Sequence, residues 1–270
     1  PLLQVVVERD PQLSAYDDDW NDISNFREAL ENEPETSYNV SAILSNPAVL
    51  DEVSNPSSTL LIIAGIESPY TTLELEILVS FMEKGGSILV FGDFDYSNTI
   101  ADLFAIEYVK HKLWDRNYKG NVSLIETTAI VDDQSYSVLL NEPVAIKALD
   151  TQELNLWSTG FEWTRNVFMT TSSNSWIDSD DDGAITPEDE VAPLSGFTLG
   201  MRCGMRSMGE PLGSAVFISD SSLPINNMWN EGQNSQFLIN LVKSMIGSNG
   251  VVLFDESRHT QESFGASLFQ

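Results

Sequence analysis

Four short apolar runs constrain this chain more than any other feature: "TLLIIAGI" (59–66), "SILVFGD" (87–93), "GSAVFISD" (213–220) and "GVVLFDE" (250–256). Each is almost unbroken in hydrophobicity, and a glycine, carboxylate or both stand at its end. Strands that read this way are buried on both faces, as parallel strands covered by helices are. Helical segments lie between them. "WNDISNFREALEN" (20–32) sets Trp20, Ile23, Phe26 and Leu30 at helical spacing, and "TLELEILVSFMEKGG" (72–86) stops at a glycine pair. "NSQFLINLVKSMIG" (234–247) reads as a third helix, while "LQVVVERD" (3–10) and "SYNVSAIL" (37–44) add two strands. The alternation predicts an α/β fold: a three-layer, doubly wound, mostly parallel sheet of the flavodoxin-like or amidotransferase-like kind.

The periodicity changes from about residue 105 to 210. "NVSLIETTAIVDD", "YSVLLNE", "NLWSTGFEW", "NVFMTTSS" and "FTLGMRC" are β-like and separated by turn residues. An α/β pattern that stops and resumes points to an insertion. The expected organisation is an α/β domain of residues 1–104 and 211–260, a β-rich insertion at 105–210, and a tail at 261–270.

Charge narrows the partners. With 41 acidic residues against 13 basic, the net charge of −28 disfavours nucleic acid and anionic membrane surfaces, which both need cationic patches. It suits solubility in salty water or an encounter with divalent cations. Cys203 stands alone, so no internal disulfide forms. No run reaches the ~20 apolar residues of a bilayer span. Pro1 is an unusual start, and the expected context is a longer protein.

The clearest chemistry is "DSDDDGAITPED" (178–189). A twelve-residue calcium loop places oxygen ligands at positions 1, 3, 5, 7 and 12, with glycine at 6 for the sharp turn. Asp178, Asp180 and Asp182 fill 1, 3 and 5; Gly183 is at 6, Ala184 would offer its carbonyl at 7, and Asp189 stands at 12. Aspartate replaces the usual glutamate at 12 and reaches less far. The loop occurs once, without a paired partner hand, so the expected role is a structural Ca²⁺ and not a sensor.

In open parallel sheets, ligands sit beyond the carboxyl ends of the strands. The loops there supply Asp10, Asp17, Asp18, Asp19, Glu67, Asp93, Asp95, Asp220, Ser221, Glu256 and His259. Helix caps and turns use the same residue types. Asp93, Asp95 and Asp220 are an alternative cation site. Asp93, Asp220, Ser221 and His259 are the candidates for a hydrolase centre, since triads are defined by geometry and not by chain order.

The order of "LLIIAG", "LELEILVSFMEKGGSILVFGD", "AVFISDSSLPINN" and "VVLFDESRH" resembles a membrane-anchored domain family of bacteria and archaea related to class I glutamine amidotransferases. Gliding-motility transporter auxiliary proteins and GIFT domains are similar in architecture. The resemblance covers roughly 1–105 and 210–260. It implies a nucleophilic cysteine after "SILVFGD", where Gly92 and Asp93 stand, and a histidine after "SAVFISD", where Asp220, Ser221 and Ser222 stand. Neither group is present, so the resemblance implies a non-catalytic binding or assembly module. It also implies an extracytoplasmic location, membrane attachment through segments outside this sequence, and a protein or glycan partner. A solute or glycan receptor for a transport system is a further alternative. Trp157, Phe161 and Trp163 fit either a core or a carbohydrate groove, and the Asn39 and Asn121 triplets fit the N-glycosylation pattern.

Overall fold

The computed structural model describes residues 12–93, 95–149 and 162–259. The strand expected at 3–10 with Asp10, the aromatics Trp157 and Phe161, the side chain of Asp95, and the tail 261–270 lie outside the described residues. The first strands are β1 (Ser37–Ile43), β2 (Thr59–Ala64), β3 (Ser87–Phe91), β4 (Ile106–Tyr108), β5 (Lys112–Asp115), β6 (Leu124–Val131) and β7 (Gln134–Asn141). They are followed by β8 (Ile146–Ala148), β9 (Glu162–Thr170), β10 (Ser175–Asp178), β11 (Glu190–Val191), β12 (Thr198–Ser207), β13 (Glu210–Ile218) and β14 (Asn249–Asp255). The helices are α1 (Ser24–Asn32), α2 (Thr72–Glu83), α3 (Asn98–Ala101) and α4 (Asn234–Ile246).

These strands do not make the doubly wound, three-layer fold that the alternation predicts. An eleven-stranded sheet runs β1-β14-β2-β3-β13-β12-β9-β6-β7, with β4 and β8 joined beside β12. Its first five strands pair in parallel. From β13 onward every pairing is antiparallel. The body is therefore a mixed, largely β sheet with a few helices, and the segment read as an insertion continues the sheet. The physical reason is a tight turn. Met208 (φ 50°) and Gly209 (φ 84°) form a two-residue connection between β12 and β13, and two consecutive positive φ values match the twist of a hairpin. The expected boundary at 210/211 falls at this hairpin.

The pleat of the parallel strands divides the core. Leu60 and Ile62 of β2 face one side with Phe26, Leu30, Phe237 and Leu241 from α1 and α4. Leu61 and Ile63 face the other with Leu78, Phe81 and Met82 from α2. Helix α2 begins at a reciprocal cap: Thr71 N–H donates to Glu74 Oε2 (2.8 Å), and Glu74 N–H donates to Thr71 Oγ1 (3.4 Å). Trp163 belongs to the packing, edge-on to Phe104 with ring centroids 5.0 Å apart.

At the far edge, β7 presents backbone groups that would otherwise stay unpaired. The Asn234 side chain occupies them: Leu139 N–H donates to Oδ1 (2.9 Å), and Nδ2 donates to Leu139 O (2.9 Å) and Met228 O (3.1 Å). Gln233 does the same for Ser137 through its side chain and its own N–H, both at 2.8 Å. The start of α4 thus closes the sheet. No helix among the described residues is long and apolar enough to cross a membrane.

Candidate functional site

The acidic loop grows from a separate three-stranded sheet, β11-β10-β5. Trp176 of β10 lies opposite Trp114 of β5, and their rings stack at 6.4 Å with an 18° tilt. This pair fixes the point from which Asp178 departs. Asp178 is buried, and its carboxylate accepts from Trp114 Nε1 (2.9 Å), Gly183 N–H (2.9 Å) and Asp182 N–H (3.2 Å). Gly183, at φ +75°, supplies the left-handed turn that brings its N–H back to Asp178. Desolvation pushes the Asp178 carboxyl up, but the N–H donors of Gly183 and Asp182 and the Trp114 indole overcome it and hold the group below the usual range. Asp180 goes the other way, raised by desolvation and by the charges of Asp182 and Asp189.

Carboxylate oxygens of Asp178, Asp180 and Asp182 lie within 4.8 Å of one another. That is the donor set and spacing a calcium-sized ion takes up. Ala184 donates its N–H to Asp182 Oδ1 (2.7 Å). Asp189 stands apart from the trio and works as a clasp. It accepts from Ser179 N–H (2.8 Å) and Thr186 N–H (2.7 Å), which hold its carboxyl low. The three carboxylates fit a calcium-sized ion, and Asp189 closes the loop from which they converge.

The carboxyl ends of the parallel strands hold the other candidates, in two groups. After β13, Asp220 is buried and accepts from Asn141 N–H (2.7 Å), Ser222 N–H (2.8 Å) and Ser222 Oγ (2.6 Å). Burial raises its carboxyl to about 7, with Asp93 adding to the rise. Ser221 Oγ donates to Asp93 (3.0 Å). After β14, His259 is buried 3.9 Å from Glu256. Strands β2 and β3 separate β14 from β13, so the two groups stand about 14 Å apart across the sheet at ~4.8 Å per strand. Ser221 and His259 are not brought together as nucleophile and base. At position 92 an added Cβ would lie 2.4 Å from Ser97 Oγ, so an elbow side chain there requires a shift of its neighbours. Cys203 is buried on β12, and desolvation pushes its thiol up to about 12, far from nucleophilic use.

The motif "FDESRH" knits this edge. Asp255 accepts from Tyr70 Oη, Glu256 accepts from Ala15 N–H (2.8 Å), and Arg258 pairs with Glu74 (3.0 Å) while lying over the Tyr70 ring. Tyr70, Glu74 and Arg258 were not singled out by sequence reasoning, although the Thr71–Glu74 cap spacing was there to read. Asp22 was also missed. It is buried at the end of the loop that carries Asp17, Asp18 and Asp19, and its oxygens lie within reach of Asp17 and Asp19. Beyond β6, β7 and β9, Asn117, Glu126, Thr127, Ser137, Thr170 and Ser172 line an open polar groove of about 410 Å³. Asp115 steadies its rim, accepting from Ser172 N–H (2.7 Å) and Oγ (2.6 Å).

Fold and site together define a largely β domain on one mixed sheet, with an acidic loop of converging carboxylates on a small side sheet. The chain belongs to the family described as Domain of unknown function (DUF4350), matched over residues 15–242. No curated protein matches it significantly. Among solved structures it is similar to the mmIFT52 N-terminal domain, at 13% identity and a TM-score of 0.49, over 73% of this chain and 79% of that one. It is also similar to the GH42 β-galactosidase Gan42B in its E323A form from G. stearothermophilus (12%, TM-score 0.34). The exo-β-1,4-mannosidase Op5Man5 from Opitutaceae bacterium strain TAV5 is a third (14%, TM-score 0.35). The chain spans 20% and 26% of those two enzymes, while they cover 68% and 72% of it. None of the three scores reaches 0.5, and they carry nothing about activity.

Proposed function

We propose that this domain is a non-catalytic, extracytoplasmic binding or assembly module, tied down by a structural calcium ion in loop 178–189. One observation carries the reading: Asp178, Asp180 and Asp182 converge on a loop already shaped by the Gly183 turn and the Trp114–Trp176 stack. An ion there would couple the side sheet to its loop without opening any helix pair. A site of this modest donor set fills where free calcium is high, which favours the outside of the cell. The partner is a protein or glycan, and the hydroxyl-lined groove beside Asp115 is the surface best suited to a polar one. Membrane attachment would come from segments outside this sequence. Hydrolysis is disfavoured by the separation of Ser221 from His259.

The test is thermal unfolding with calcium and with excess chelator, for the wild type and Asp180→Ala. At calcium a hundredfold above its Kd, binding adds about 2.7 kcal/mol. For a chain of this size that raises the melting temperature by about 5–10 °C. The calcium-dependent rise is expected to be smaller by that amount in Asp180→Ala than in the wild type. An equal rise in the two proteins, or none in either, would overturn the proposal.

A further inference from the structure

A second acidic group lies at the sheet's carboxyl edge. The loop before α1 folds over the end of β14, where Ala15 N–H donates to Glu256 Oε1 (2.8 Å). It is fastened to the loop after β13: Asn226 N–H donates to Asp22 O (2.6 Å), Asn226 Nδ2 to Asp19 O (2.7 Å), and Asn227 N–H to Trp20 O (2.9 Å). Within this loop, carboxylate oxygens of Asp17, Asp19 and Asp22 come within 4.8 Å of one another.

Convergence of acids alone would mean little. Asp22 sets this group apart. It is 1% exposed, and although Oδ1 accepts from Ser14 N–H (3.0 Å), its buried Oδ2 meets no donor among the described residues. A buried carboxylate oxygen without a donor is costly and rare in a native fold. The Asp22 carboxylate lies beside two further carboxylates, so a proton or a cation is its natural complement.

We propose that Asp17, Asp19 and Asp22 form a second divalent-cation site, with Asp22 as its buried anchor. The ligand class is a calcium-sized ion. Oxygens up to 4.8 Å apart are bridged by bonds of about 2.3–2.6 Å, whereas Mg²⁺, at about 2.0–2.1 Å, requires contraction. Bound there, the ion would pin the loop carrying the exposed Trp20 against both the β14 and β13 ends of the sheet.

The experiment is equilibrium dialysis against millimolar calcium at pH 7.5, using Asp180→Ala to silence loop 178–189. One calcium equivalent is expected in that background, falling to none when Asp22→Asn is added. The neutral isostere should keep the fold in chelator; if it does not, Asp17→Asn/Asp19→Asn, at more exposed positions, replaces it with the same expectation. No bound calcium in Asp180→Ala, or binding that survives the asparagine substitutions, would overturn the proposal. Failure of loop 178–189 is separately visible: the wild type and Asp180→Ala would then bind equally, and Asp22→Asn alone would abolish binding.

Discussion

Replacing Asn234 with alanine tests how the mixed sheet is closed. Asn234 is fully buried and makes three hydrogen bonds, two of them to the backbone of Leu139 on the edge strand β7. Asn234→Ala removes the three bonds and leaves the buried Leu139 N–H and C=O facing an apolar methyl. Each orphaned buried group costs about 1–3 kcal/mol unless a water fills the gap, a penalty that already contains the lost bond. With one water recovering part of the loss, the expected destabilisation is about 3–5 kcal/mol. That corresponds to a fall of roughly 6–20 °C in melting temperature. Asn240→Ala, which removes only an exposed bond to Gln236 O (2.8 Å), should stay within about 0.5 kcal/mol. The assay is urea unfolding followed by both far-UV circular dichroism and tryptophan fluorescence. Because the segment 105–210 shares its sheet with the parallel strands, both probes should report one coincident transition. A loss below 1 kcal/mol, or a β-rich segment that melts separately, would refute the reasoning.

Two further outcomes follow from close packing and from burial. Gly213→Ala would place a Cβ 2.1 Å from Gly86 O and 2.7 Å from Met82 O, both backbone atoms, and should lower stability by about 1–3 kcal/mol in the same urea assay. An unchanged midpoint would show that strand β13 and the end of α2 can separate freely. Asp220, raised from 3.8 to about 7 by burial, binds its proton more tightly in the folded chain than in the unfolded one. Its share of stability is therefore greatest in acid and is lost as pH climbs from about 4 through 7, by at most roughly 4 kcal/mol. Relative to wild type, Asp220→Asn should gain stability from about pH 4 to pH 7 in melting curves and level off above that. A constant difference across that window would contradict the protonated state.

The strands β2, β3, β13 and β14 were legible because continuous apolar runs admit few alternatives, and α2 was legible from its apolar spacing and glycine stop. Strand order was not. The sequence patterns of β12 and β13 look like members of different domains, and only the positive φ values at Met208 and Gly209 reveal a hairpin. Methionine seldom adopts that conformation, so the turn carries a weak sequence signal. The convergence of Asp178, Asp180 and Asp182 was readable from spacing alone, since local geometry fixes where positions 1, 3 and 5 point. Asp189 was placed among the ligands by the same spacing, and its clasp on Ser179 and Thr186 was not legible from it. The distance between His259 and Ser221 depends on which strands intervene, information that sequence order hides. Asp22 looked like one more acid in an acidic run, and burial alone sets it apart.

The most direct measurement is a crystal structure grown with calcium, with anomalous scattering used to locate the ion. An anomalous peak is expected among the carboxylates of Asp178, Asp180 and Asp182, with oxygens at about 2.3–2.6 Å. A loop that keeps its hydrogen bonds in millimolar calcium but shows no peak there would contradict it.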